Sequence, residues 1–403
     1  MEDNYLGSFD IYEDVKINES LGRTDYYQKK YPIIAQNNNT ALKYMIKTLL
    51  NALNLILLMR SKEKHRIAIW ENKFQRIIDE QSDSFKFIVF TNSLAKYKEL
   101  KKNNDIVFFC HTWIRWIDKG FLENNLTYTN HGIKSLAIFL KHIKVSAIIL
   151  GNDKLFIEKT FQSAGRVNNI PVIVIQHGIY NKDSFEKLKT SDSVEYFWTW
   201  SEYIKKIYMD TFHNSADVRV IGYPFRFNIN PIINNRVLFI GNHYLDYNHE
   251  EGVQYIKIAK IVKEICEEEH LSFSYRPHPS ESINSEYGDI QQTISNEASL
   301  FEDIANSKII IGDVSSCMIE AALMRRCVIQ IVWSERSQIL LSDPLYSFSE
   351  KTSSSKSDIK AAIKKGVSLE KGNSIDSYYL YLNDSFKDDV HKLLLDIICG
   401  IQE

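Results

Sequence analysis

Three short elements carry residues whose types and spacing can do chemistry. Gln176-His177-Gly178 sets an imidazole at the end of the apolar run 171–176, and a side chain that titrates near neutrality can take a proton from an attacking hydroxyl. Arg276-Pro277-His278-Pro279 closes a second apolar run. Its prolines deny the turn helical structure and hold an arginine and a histidine at a strand end, where Arg276 and His278 suit the charge of a phosphate and of a departing phosphate group. The third element, Gly312-Asp313-Val314-Ser315-Ser316, leads into Cys317-Met318-Ile319-Glu320 and reads as strand, tight turn and helix start. Free N–H groups at such a helix start favour an anion. Ser315 and Ser316 would add hydroxyl donors there, and Glu320 suits a ribose contact. The same serines also fit ordinary N-capping, and Asp313 and Glu320 also fit first-turn or surface carboxylates. Spacing alone leaves both readings open.

Two further segments join these candidates. Gly241-Asn242-His243 follows the first strand of the second half and offers Gly241 and Asn242 as a donor loop. Asp153, in Gly151-Asn152-Asp153, is the alternative general base; it can instead orient His177 as a carboxylate partner or cap a helix. A His-Gly pair recurs at His131-Gly132, so the dipeptide by itself is not diagnostic. His177 is preferred over Asp153 because its pKa lies nearer neutrality. The sequence has no Asp-x-Asp and no His/Cys cluster, so neither metal nor cofactor is expected, the donor phosphate being met by His278, Arg276 and the helix terminus.

These residues must be positioned by strands. From residue 66 onward, strand-like runs at 66–70, 85–91, 105–110, 147–151, 171–176 and 196–200 alternate with helical stretches at 133–142, 154–167 and 202–211. That alternation is the mark of a wound α/β domain. A short strand at 218–222 precedes Tyr223-Pro224 and an Asn- and Pro-containing connection. A second alternating set follows, with strands at 237–241, 272–276, 308–312 and 328–332 and helices at 251–270, 299–305 and 316–324. Residues 351–357 read as a polar, Ser-rich loop and 388–401 as a closing helix. The expected organisation is an N-terminal helical extension (1–60), a Rossmann-like acceptor domain (61–225), a linker (226–235), a Rossmann-like nucleotide-donor domain (236–375) and a C-terminal helix (376–403). Ligands of open α/β sheets sit beyond the carboxyl ends of the strands, so one site in a cleft between two facing domains is expected.

Length and composition agree with that frame. The 403 residues exceed one ordinary core, and 44% hydrophobic with 12% aromatic residues can bury two. A formal charge of −2 gives no basic excess for nucleic acid. Five scattered cysteines without metal spacing fit a reduced, cytoplasmic protein, and residues 1–13 are polar and acidic rather than signal-like. Residues 42–59 are the one membrane suspect. Lys43, Lys47, Asn51 and Asn54 interrupt them, which leaves far less than the roughly 20 apolar residues of a spanning helix. They read as a helix packed on the first domain or, given the basic flank Arg60, Lys62, Lys64 and Arg66, as a peripheral anchor at the inner face of the plasma membrane.

Two Rossmann-like domains describe GT-B glycosyltransferases, and also some epimerases and binding proteins, so fold alone does not choose. Across residues 147–332 the motif order resembles two bacterial families. Arg276-Pro277-His278-Pro279 followed by Asp313-Val314-Ser315-Ser316 looks like the His-Pro and Ser-Ser/Thr motifs of GT-B sialyltransferases, which hold the CMP part of a CMP-sugar. With the upstream His177-Gly178 it also resembles the CDP-glycerol glycerophosphotransferases of teichoic acid synthesis and the capsule transferases. The resemblance implies catalysis by His177 and phosphate binding by His278, Ser315 and Ser316. It implies transfer of a sugar, CMP-linked and sialic-acid- or Kdo-like, to a glycan or lipid-linked acceptor of capsule, O-antigen or lipooligosaccharide. The sequence departs from the sialyltransferases in having no clear Asp/Glu-Asp/Glu-Gly motif, which places sialic acid itself in doubt. Rival readings are CDP-glycerol-type transfer, a UDP-sugar transferase or epimerase, and a nucleotide-sugar-binding protein without catalysis.

Overall fold

The structure is a computed structural model that describes residues 39–400 apart from 62–63, 71–73, 123–125, 152–155, 177, 179–193, 213–215, 225–234, 243, 280, 282, 296, 298, 370–371, 373–375, 377–378 and 380–384. The chain divides into two compact units, the first taking in Met1–His177, Lys182–Phe225 and Tyr381–Glu403, the second Gly178–Asn181 and Arg226–Leu380.

The first unit is built on seven parallel strands: β1 (His65–Trp70), β2 (Phe85–Thr91), β3 (Val107–Phe109), β4 (Val145–Leu150), β5 (Val172–Ile175), β6 (Tyr196–Thr199) and β7 (Asp217–Val220), in the order β3-β2-β1-β4-β5-β6-β7. The helices are α1 (Asn39–Arg60), α2 (Gln75–Gln81), α3 (Leu94–Asn103), α4 (His111–Leu122), α5 (Leu126–His142), α6 (Phe156–Val167) and α7 (Glu202–Thr211). The strands read as near-continuous Ile, Val and Phe because both faces are covered. Successive residues feed opposite cores. Ala68, Trp70, Ile88, Phe90, Ile148 and Leu150 pack on one face, and Ile67, Ile69, Val89, Ile149, Ile173 and Ile175 on the other.

An uncovered edge strand invites pairing with another chain, and α1 covers this one. The Asn51 amide donates to the Phe109 carbonyl (2.9 Å) and accepts from its N–H (2.8 Å), standing in for a neighbouring strand beside β3. Leu58 is fully buried, and the buried Asn54 donates to the Tyr97 hydroxyl.

The second unit has five parallel strands, β8 (Arg236–Ile240), β9 (Ser272–Arg276), β10 (Ile309–Gly312), β11 (Cys327–Val332) and β12 (Glu350–Ser353), in the order β12-β11-β10-β8-β9. Its helices are α8 (Tyr244–Tyr247), α9 (His249–Glu268), α10 (Leu300–Ala305), α11 (Ser316–Leu323), α12 (Glu335–Leu341) and α13 (Lys356–Ser368). Side-chain caps set the starts of five of these: Asn248, Ser299, Ser315, Ser334 and Ser355 each accept from a first-turn N–H. The polar segment expected as a loop from residue 351 begins instead within β12. That strand lies at the sheet edge and buries only Thr352, so it has no apolar alternation to announce it. Strand order reverses at β8: β9 lies on one side and β10 on the other, which makes the β8/β10 boundary a topological switch point.

The last helix, α14 (Phe386–Cys399), belongs to the first unit. Phe386, Val390 and Leu394 are fully buried in the core that holds Ile67 and Ile69, and the Arg76 guanidinium lies 3.9 Å from the Phe386 ring centre.

Candidate functional site

The second unit brings its candidates to the carboxyl ends of β8, β9 and β10. Arg276 ends β9, and its carbonyl accepts from the Gly241 N–H just past β8 (2.8 Å). The turn after Arg276 is locked by a residue that the sequence reading did not single out. Glu281 accepts from the His278 backbone N–H (2.7 Å) and donates its own N–H to the His278 carbonyl (2.8 Å). The Glu281 carboxylate also accepts from the hydroxyls of Tyr275 and Tyr287, both fully buried. Burial, with Glu281 alongside, raises the Tyr275 pKa well above the usual phenol value. Gly241 has a steric reason to be glycine, because a Cβ there would fall 2.4 Å from Glu281 Oε2 and 2.6 Å from the Tyr275 hydroxyl. His278 is half-buried and Pro279 exposed, at the surface of a turn held from beneath.

Arg276 is anchored rather than free to swing. Its Nη1 donates to Asp303 Oδ2 (2.9 Å) and to the Glu297 carbonyl (2.9 Å). Asp303, fully buried, also accepts from Arg236 Nη2 (2.7 Å) and from the Ser295 hydroxyl. Removing one partner of a buried ion network leaves the others uncompensated. Arg276 therefore holds β9 against α10, and its positive charge still reaches Cys317 in the first turn of α11, where it opposes the effects that raise the thiol pKa.

At the switch point, Ser315 caps α11, accepting from the Cys317 N–H (3.3 Å). Ser315 and Ser316 are half-buried, and Glu320 is buried one turn on. Burial and then Glu320 push the Cys317 thiol up to about 12; at neutral pH it is a protonated packing group, not a nucleophile. Asp313, read from sequence as a first-turn or surface carboxylate, is buried. Its Oδ2 accepts from the Tyr244 hydroxyl (2.7 Å) and from Trp333 Nε1 (2.8 Å). Burial pushes its carboxyl up, and the two donors oppose that shift. Asp313 thus ties the segment after β8 to the ends of β10 and β11. Asn242 lies half-buried between Gly241 and that tie, while His243 is outside the described residues.

The first-unit candidates His177 and Asp153 also lie outside the described residues. What precedes His177 is held firmly. Gln176, buried, donates its backbone N–H to the Trp198 carbonyl (2.9 Å), and its side-chain oxygen accepts from the Trp200 N–H (2.9 Å). A Cβ at Gly178 would meet nothing within 4 Å, so space does not demand glycine there. Among the described residues no group of three His, Cys, Asp or Glu side chains is placed to hold a metal ion.

Glu281 and Asp303 are residues the sequence reading passed over, and Asp313 is one it left as a first-turn or surface carboxylate. Their partners lie 3 to 69 positions away, and only the shortest link, Glu281 three residues beyond His278 in a proline-bounded turn, was open to discovery from spacing.

Comparison with known proteins gives the fold class. No family model matches the sequence, and no curated protein does. Solved structures place the chain in the α/β class with two Rossmann-like domains, the GT-B fold. It is similar to the UDP-GlcNAc 2-epimerase of Methanocaldococcus jannaschii, with a TM-score of 0.56 and 12% identity over 82% of this chain and 99% of that one. It is also similar to the UDP-GlcNAc 2-epimerase of Neisseria meningitidis, solved bound to UDP-GlcNAc, with a TM-score of 0.54 and 15% identity over 82% of this chain and 100% of that one. At these identities the likeness shows the fold.

Proposed function

We propose that the chain is a metal-independent glycosyltransferase that takes a sugar from a nucleotide donor, CMP-linked, and passes it to a glycan or lipid-linked acceptor in bacterial surface-polysaccharide synthesis. The observation that carries this reading is the second unit's switch point. There a histidine turn braced by Glu281 and the Ser315-capped start of α11 flank the carboxyl end of β8, where open α/β sheets take nucleotides. In the reading, the α11 N-terminus with Ser315 and Ser316 holds phosphate, His278 donates to the leaving phosphate oxygen, and Glu320 meets the ribose. Arg276 adds charge from its anchored position. His177 takes the proton from the acceptor hydroxyl, with Asp153 as its orienting partner or its substitute. The anchored Gln176 supports this role, since a base must be held in place to act.

A second reading is a sugar-nucleotide epimerase, favoured by the fold likeness to proteins whose names state UDP-GlcNAc 2-epimerisation and one of which was solved with UDP-GlcNAc. The two part on the acceptor. Incubation with CMP- and UDP-sugars, with and without a glycan acceptor, tests them: glycan-dependent release of CMP supports the transferase, and an epimeric sugar product formed without acceptor overturns it.

A further inference from the structure

The helix that covers the β3 edge has a second face. Met45 (62% exposed), Leu49 (62%), Leu53 (50%), Ile56 (47%), Leu57 (49%) and Met59 (72%) stand open on α1. They recur at spacings of three and four, which lines them along one side of a helix, in a stripe about 21 Å long at 1.5 Å per residue. The opposite side carries Asn51, Asn54 and Leu58 into the first unit, so among the described residues the open stripe is a surplus beyond what the packing uses. Apolar residues this close together on an ordered helix mark an interaction surface.

Charge says what kind. Residues Asn39–Arg60 contain no aspartate or glutamate, and the helix ends on the exposed Arg60. Beside Leu57, Lys86, Lys101 and Lys102 line a concavity with Asp105 as the one carboxylate among its lining residues. Asp105 pairs with Lys86 at 2.5 Å, and Lys101 donates to its backbone carbonyl, so the concavity keeps a positive excess, with Lys102 exposed. Among the described residues no helix is long and apolar enough to cross a membrane. We infer that this face of α1 lies on an anionic bilayer, with the stripe at the acyl boundary and the lysine-lined concavity against lipid phosphates. The inference stands on the first unit alone and is independent of the transferase reading.

The test is sedimentation of the full chain with vesicles of phosphatidylcholine mixed with phosphatidylglycerol, against phosphatidylcholine alone, at low and high salt. Binding selective for the anionic vesicles and weakened by salt is expected, falling about tenfold or more in Leu49→Ser/Leu53→Ser and in Arg60→Glu/Lys102→Glu. All four positions are exposed, so each variant should keep the wild-type thermal midpoint. Equal affinity for neutral vesicles, no binding, or binding that neither pair of substitutions weakens would overturn the inference. So would a concentration-dependent dimer abolished by the leucine pair in a protein that ignores vesicles.

Discussion

Replacing Glu281 tests the bracing of the histidine turn, and the structure sets the size of the effect. The carboxylate serves three donors: the hydroxyls of Tyr275 and Tyr287 and the N–H of His278. Glu281→Ala orphans two fully buried phenols. At about 1–3 kcal/mol for each unsatisfied group, and allowing for non-additivity, the second unit should lose about 3–5 kcal/mol. Glu281→Gln keeps an oxygen for the phenols but turns an N–H₂ toward the His278 N–H, donor against donor, for about 1–2 kcal/mol. Gly241→Ala should act on the same contact, its Cβ arriving 2.4 Å from Glu281 Oε2, at a cost of about 1–3 kcal/mol. Because both changes strike one contact, the double variant Gly241→Ala/Glu281→Ala should be less damaging than the sum of the singles, by about 0.5 kcal/mol or more. Urea denaturation of the four proteins reads the cycle, and nucleotide titration of Glu281→Gln reads the consequence, a loss of about tenfold in affinity as His278 moves. A stable, fully binding Glu281→Gln, or strict additivity in the cycle, would refute the bracing.

Three further outcomes are expected. His177→Ala should abolish transfer while binding nucleotide as tightly as wild type, measured by product formation beside titration calorimetry; retained turnover would pass the base role to Asp153. Turnover should survive EDTA; its loss, with recovery on adding a divalent ion, would contradict a phosphate site made from His278, Ser315 and a helix terminus. Burial, reinforced by Lys47, holds the His111 imidazole down to about 4 from its ordinary 6.5. The unfolded chain therefore gains a proton before the folded one. His111's contribution is intact above pH 6.5 and declines as pH falls toward about 4, by about 1–2 kcal/mol after allowance for solvent screening. His111→Gln should flatten that part of the stability profile, and an unchanged slope would count against it.

Much of the fold is legible because its strands are buried on both faces. The runs at 66–70, 85–91, 272–276 and 328–332 announce themselves by apolar density and lie within or nearly coincide with β1, β2, β9 and β11. Strand order is another matter, since the reversal at β8 depends on which connection crosses which side, and composition does not encode that. β12 escaped because an edge strand needs only one buried residue, Thr352. The last helix is readable as a helix, but its docking on the first unit rests on Phe386, Val390 and Leu394 joining a core with β4 and α2, more than 200 residues away. The candidate site divides in the same way. Ser315 at a helix start and His278 between prolines are local signals, and the structure puts both at the carboxyl edge of one sheet. The Tyr244-Asp313-Trp333 tie and the Asp303 network join distant segments through burial. From sequence, Asp313 is one more acid at a turn, and Arg276 gives no sign that a buried aspartate already holds it.

Thermal-shift titration with CMP, CDP, UDP, GDP and ADP reads the nucleotide site of the second unit by itself, because a ligand that binds only the folded state raises its midpoint without any acceptor. Selective stabilisation by the cytidine nucleotides is expected in wild type and should be lost in His278→Ala. A shift of equal size in His278→Ala, or none with any nucleotide, would contradict it.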